Sequence, residues 1–210
     1  PSTLSFLNKK NNFHYLPIPV DKNIEKLKIY EKKNQICDVF FSMSHGVNRG
    51  KLKRDKIDER HNFITDLITE CPNIIFDIYG YKNREPVWAE DFYKVIVNSK
   101  MALNLTRGKP LKYLTSNRIA SLIGNGLLTF IDKKTKLNNF FNNNEVIFYS
   151  GLEDLANKIN YYKSNDTSRM KIAKNGRKKY FDLFECQKVA NYIISKSFDR
   201  DIPKVLKWMD

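Results

Sequence analysis

Arg107, Lys109, Lys112 and Arg118 crowd around Thr115-Ser116-Asn117, three residue types that cap helices. Guanidinium forks match a diphosphate in a bidentate way. A helix start adds unpaired N–H groups and the positive end of the dipole. A phosphate-bearing ligand is the chemistry this stretch implies. Asn104, just upstream, and Thr115, Ser116 and Asn117 can hydrogen-bond a sugar or a phosphate. Plain N-capping is the competing reading of Ser116 and Asn117, and the two roles are compatible.

A second candidate is Ser44-His45-Gly46-Val47-Asn48-Arg49-Gly50-Lys51. Gly46 and Gly50 let the backbone approach a ligand, while Arg49 and Lys51 offer charge to phosphates. Neither a Walker loop nor GxGxxG is present, because Gly46 and Gly50 are four apart and Leu52 follows Lys51. The alternative is a glycine turn with solvated cations. His45 is the best placed of the three histidines; His14 and His61 have no evident partner in the sequence. Tyr81, Trp88 and Tyr113 fall in loops after strands, where each either stacks on a nucleobase or packs. There is no HxxxH, carboxylate pair or nucleophile elbow, so no catalytic residue is assigned and no metal site is expected.

These residues must be held by Met101–Asp132. An apolar run (Met101–Leu105), a basic loop, a capped helix from Arg118, a Gly124-Asn125-Gly126 stop and a second apolar run (Leu127–Ile131) make one crossover unit of a parallel sheet. Ligands of such sheets sit beyond the strands' carboxyl ends. Further strands are expected at Ile36–Met43, Asn73–Tyr79 and Glu145–Tyr149. Helices are expected from Asp55 or Asp58 to Glu70, over Ala89–Ser99, and at Leu152–Tyr162, Ser168–Phe184 and Glu185–Ser197, with one helical turn in Lys136–Phe141. The alternation predicts an α/β, Rossmann-like, doubly wound parallel sheet with a helical C-terminus. The predicted strand order is third, second, first, fourth, fifth. Residues 1–35 read as a lead-in: Pro17 and Pro19 confine Phe13–Val20 to an edge or linker, and Asn23–Gln35 reads as an exposed helix or turn. Residues 36–197 form the domain and 198–210 a tail with a short helix.

No apolar run approaches the ~20 residues of a membrane span, and no signal peptide is visible. The net charge of +14 draws anionic ligands, although the lysines are spread along the chain as in an AT-rich coding bias. Cys37, Cys71 and Cys186 lack metal-ligand spacing, which predicts buried thiols in a reducing compartment. The first residue is proline, which suggests a piece of a longer chain.

The order NRIASLIGNGLLTFID, NEVIFYSGLEDLANKINYY, RMKIAKNGRKKYFDLF resembles the carboxyl-terminal domain of group 1 glycosyltransferases with the GT-B fold, nearest the spore-maturation-type branch. Arg118, Leu122 or Ile123, and Gly126 match one frame; Leu152–Leu155 and Ile172–Gly176 match the two helices that follow. Residues His14–Asp21 resemble the connection entering that domain. The resemblance implies a cytoplasmic enzyme domain that binds a nucleotide-diphosphate sugar as substrate, with no cofactor. Its acceptor domain would lie upstream, and its contact with an anionic membrane would be peripheral at most. Two glutamates usual in the family fall at Tyr113 and Ser121, so the donor contacts must differ; Ser121 retains one hydrogen bond for the donor. Alternatives are a nucleotide- or nucleic-acid-binding α/β domain without catalysis, or a degenerate glycosyltransferase scaffold. Nucleic acid is disfavoured as a partner because no recognised binding motif is present.

Overall fold

The computed structural model describes residues 14–43, 59–204 and 208. Five parallel strands run through it: β1 Cys37–Ser42, β2 Phe76–Tyr79, β3 Ser99–Asn104, β4 Leu128–Asp132 and β5 Ile147–Tyr149. The helices are α1 Glu59–Glu70, α2 Ala89–Ile96, α3 Asn117–Gly124, α4 Leu152–Ser164, α5 Asp166–Phe184 and α6 Cys186–Ser197. Lys136–Phe141 holds a 3-10 turn, Leu137–Asn139, preceded by another at Lys133–Thr135.

Side chains of a strand alternate faces, and the core divides accordingly. Val39, Phe41, Met101, Leu103, Phe130 and Tyr149 face one layer, where Ile64 and Leu67 of α1 and Leu155 and Ile159 of α4 cover them. Phe40 and Ala102 face the other layer, against Ile96 of α2 and Leu122 of α3. Ile131 and Phe148 share that second layer with Ile119, Ile123, Tyr180 and Phe184. Helices on both faces of a parallel sheet give the doubly wound α/β architecture expected from the alternation.

The strand order is β2-β1-β3-β4-β5, which corrects the sequence reading. β3, not β4, lies beside β1. The physical reason is burial: Met101, Ala102, Leu103 and Asn104 are all buried, so β3 needs neighbours and helices on both sides. β2 is four residues long, ends in half-buried Tyr79 and pairs its Asp77 with Arg84 at 2.6 Å, as suits an edge. The chain therefore reverses direction across the sheet between β1 and β3.

The lead-in is packed more closely than its composition predicts. Val20 exchanges backbone hydrogen bonds with Phe184 and Cys186 at 3.0 and 2.9 Å, and makes a single parallel bridge to Glu185. Thr115 Oγ1 accepts from the Ile18 N–H at 2.8 Å, and the Tyr180 hydroxyl donates to the Ile18 carbonyl at 3.0 Å. Residues 23–35 form turns and one 3-10 turn, Ile29–Glu31, the turn alternative of the sequence reading, but they are not exposed throughout: Glu25 and Ile29 are buried. Gly126 makes room for this: a Cβ there would lie 2.5 Å from the Tyr30 ring. Cys71 is buried as expected, Cys37 and Cys186 are half-buried, and all three thiols are free. Among the described residues no helix is long and apolar enough to cross a membrane.

At the sheet's amino end Asp38, 2% exposed, takes hydrogen bonds from the Ile75 N–H at 3.0 Å and Lys100 at 3.1 Å, and pairs with Lys163 at 3.1 Å. Burial opposes its charge, yet the N–H donor and two ammonium groups prevail and hold the carboxyl below its usual range. A carboxyl depressed in the native state stabilises above the unfolded-state value of ~3.9, and that contribution fades as pH falls through the lower native value. Asp38→Asn is therefore expected to cost about 1–2 kcal/mol near neutrality. Urea unfolding midpoints of variant and wild type should converge as pH is lowered from 7 towards 3. A gap that stays constant with pH would exclude this linkage.

Candidate nucleotide-binding cleft

Beyond the carboxyl ends of β1 and β3, where the winding reverses, lies a cleft of about 770 Å³. That is the size of a small-molecule pocket, at the place where doubly wound sheets bind ligands. Ser42 and Met43 end its β1 side; Leu105, Thr106, Arg107 and Lys109 follow β3; Ser116, Asn117, Arg118 and Ser121 come from α3. Val87, Trp88, Phe92 and Tyr93 build an apolar wall on the α2 side. Trp88 is 62% exposed.

α3 starts as its sequence requires. Ser116 is the N-cap, its Oγ accepting from the Ile119 N–H at 3.3 Å. No acidic residue occupies the first turn; Arg118 does. Its Nη1 donates to the Leu105 carbonyl at 2.8 Å and its guanidinium lies 5.0 Å from the centre of the Phe41 ring. Among the described lining residues, Arg60, Arg107, Lys109 and Arg118 supply positive charge and no carboxylate is present. Guanidinium and ammonium groups of this kind match phosphate oxygens.

Next to the cleft is a smaller cavity of about 160 Å³, lined in part by Glu59, Arg60, Asn104, Asp132, Thr135 and Tyr149. Asn104, the last residue of β3, is 2% exposed, and among the described residues neither its amide nitrogen nor its amide oxygen has a hydrogen-bond partner. Leaving such a group unpaired costs roughly 1–3 kcal/mol. Asp132 Oδ1 accepts from the Lys134 N–H at 2.8 Å, which fixes the carboxylate at the end of β4. Burial, with the negative charge of Asp132, raises the Tyr149 phenol far above its ordinary value, so it remains neutral.

The structure thus brings Arg107, Ser116, Asn117, Arg118 and Ser121 to one cleft and puts Asn104 in the cavity beside it. Tyr113 is directed elsewhere. Its backbone is left-handed, φ +62°, with its N–H on the Thr135 carbonyl at 2.7 Å; its ring packs edge-on against Phe140 at 6.2 Å and its hydroxyl meets Asn139 at 3.4 Å. Thr115 is occupied by Ile18. Tyr81 packs, its hydroxyl 2.8 Å from Thr65 Oγ1 and its ring 4.7 Å from that of His61. Ser44, His45, Gly46, Arg49 and Lys51, with the caps Asp55 and Asp58, lie outside the described residues. Arg60 was missed. It is 6% exposed and lines both cavities. Its signal was available: a charge four residues before Ile64 and seven before Leu67 lies on the inward stripe of α1.

A parallel sheet that reverses at β1 and β3, carries helices on both faces and ends in helices is the Rossmann-like architecture of the carboxyl-terminal half of GT-B enzymes. The chain belongs to the Glycosyl transferase-like family, matching it over residues 56–195. Its fold is similar to that of Anabaena HepE, solved in complex with UDP, at TM-score 0.65 and 12% identity over 88% of this chain and 57% of that one. It is also similar to TarM, at TM-score 0.56 and 12% identity over 78% and 36% of the two chains. Sucrose-phosphate synthase from Thermosynechococcus elongatus gives TM-score 0.52 and 15% identity over 88% and 45%. No curated protein matches the sequence. The chain therefore spans a little over half of HepE and less of the other two.

Proposed function

We propose that this chain is the donor-binding domain of a glycosyltransferase and takes a nucleoside-diphosphate sugar in the cleft between β1 and β3. The observation that carries the reading is the cleft's place, beyond β1 and β3 where the winding reverses and against the start of α3, with Arg107, Lys109 and Arg118 on its lining. The diphosphate would lie against Arg107, Arg118 and the free N–H groups of α3, and the base against Trp88 and Phe92. HepE has been solved with UDP and with UDP and glucose, which supports a uridine nucleotide as the first to try. Guanidinium groups aimed at the diphosphate would stabilise it as a leaving group, the role a divalent metal takes elsewhere. The acceptor and any catalytic base would come from a second domain, so this chain alone should bind donor without turnover. The spore-maturation-type branch remains the proposed branch, on the motif order in residues 117–184.

Calorimetric titration with UDP, GDP, ADP and a short oligonucleotide tests the reading. A nucleoside diphosphate should bind with a 1:1 stoichiometry and the oligonucleotide should not compete with it. Preference for the oligonucleotide would instead establish a nucleic-acid-binding domain, and binding of none of these a scaffold.

A further inference from the structure

The loop from Leu105 to Thr115 forms one wall of the cleft and supplies Thr106, Arg107 and Lys109 to it. Its far end is tied down from behind. Thr115, 3% exposed, accepts from the Ile18 N–H at 2.8 Å through its hydroxyl oxygen. The Tyr15 phenol donates to the Tyr113 carbonyl at 2.8 Å, and that of Tyr180 to the Ile18 carbonyl at 3.0 Å. Burial raises both phenols above their ordinary value, so each keeps the proton it donates. Rings close the same joint: Phe140 stacks on Tyr15 at 5.6 Å and meets Tyr113 edge-on at 6.2 Å. On the donor-binding reading above, we infer that Thr115 and Tyr15 are positioning residues, clamping the lead-in to the loop after β3 and so fixing that loop and the start of α3 for the nucleotide's phosphates.

The backbone agrees with this assignment. Tyr113 is left-handed, φ +62°, which a residue other than glycine adopts only where its surroundings impose it. The Tyr15 phenol on its carbonyl and the Thr135 carbonyl on its N–H are those surroundings. Thr115 directly precedes Ser116, the N-cap of α3, so a shift at Thr115 moves the turn that carries Arg118. The lead-in is itself anchored, through the hydrogen bonds of Val20 to Phe184 and Cys186. Ile18 also lines the cleft, which puts the clamp at the margin of the site. A loop held at both ends loses less conformational freedom when a ligand orders it, and the saving appears as affinity. Such coupling is reciprocal, so bound nucleotide must in turn hold the lead-in more firmly.

The test is calorimetric titration with UDP, or whichever nucleoside diphosphate the chain prefers, on wild type, Thr115→Val, Thr115→Ser and Tyr15→Phe. Amide hydrogen exchange at Ile18 is followed by NMR with and without the nucleotide. Thr115→Val keeps the side chain's shape and removes the acceptor; it should bind about five- to tenfold more weakly, and Thr115→Ser should recover most of that loss. Tyr15→Phe keeps its ring on Phe140 and should weaken binding about threefold, which decides the matter should Thr115→Val not fold. Nucleotide should slow exchange at Ile18 in wild type. A merely structural clamp lowers the melting temperature of the variants but leaves affinity per folded molecule and Ile18 exchange unmoved; that result overturns the positioning role and leaves the nucleotide cleft standing. A serine variant as weak as the valine one overturns it as well. Failure of wild type to bind any nucleoside diphosphate removes the donor reading itself, and the positioning role with it.

Discussion

Gly176→Ala is expected to lower the melting temperature of the domain by about 4–8 °C. Gly176 lies within α5, where alanine normally gains about 1 kcal/mol of helix propensity over glycine. Here the gain is outweighed. A Cβ at Gly176 would lie 2.1 Å from the Glu145 carbonyl oxygen and 3.5 Å from Ile123 Cγ2. The first neighbour is backbone, at the turn leading into β5, and cannot rotate away. The same turn is held to α5 by Asn175, whose Nδ2 donates to the Asn144 carbonyl at 3.1 Å. Relief requires α5 to move off the sheet edge, disturbing its packing on α3 and β4. Overpacking of this kind costs about 1–3 kcal/mol and occasionally more, and a backbone clash sits at the upper end. A differential scanning measurement on wild type and variant decides: an unchanged or higher melting temperature would show that α5 does not press on that turn.

Gly176 also shows what the sequence carried and what it did not. The run Ile172–Gly176 was visible as a motif, and its helix was placed within two residues of its observed start. Why a glycine stood there was not visible, because the reason is a carbonyl from another element. The same division runs through the fold. All five strands were found, since apolar runs bounded by Gly, Pro and Asn are local signals. Their order was not, because right-handed crossovers permit more than one winding. Burial on both sides decides the matter, and Met101–Asn104 shows that only once α2 and α3 have closed over β3. That Arg107, Ser116, Asn117, Arg118 and Ser121 share one cleft was legible from a capped helix start after a strand. Tyr113 was not, because a left-handed backbone at that residue turns its side chain towards Phe140. Arg60 escaped because its helix read as an apolar stripe, and the one charge on that stripe was passed over.

Arg118→Ala should weaken nucleoside-diphosphate binding by about one to two orders of magnitude while the domain still folds. Arg118 lines the cleft from the first turn of α3, a turn without an acidic residue. One of its N–H groups is engaged by the Leu105 carbonyl at 2.8 Å, which ties the guanidinium to the loop after β3. A hydrogen bond to a charged group contributes roughly 1.5–3 kcal/mol, and each 1.4 kcal/mol is tenfold in affinity. Arg118→Lys, which keeps the charge and loses the fork, should fall between wild type and alanine. Ser116→Ala provides the contrast: it removes the cap, costing about 1 kcal/mol of stability, and should change affinity far less than Arg118→Ala. The rival view is that Arg118 serves only to pin the β3 loop through Leu105 and to cover Phe41. Under that view Arg118→Ala melts earlier, and its affinity per folded molecule equals that of wild type. Calorimetric titration and thermal unfolding of one preparation separate the two, and unchanged affinity in the folded variant would take Arg118 out of the nucleotide site.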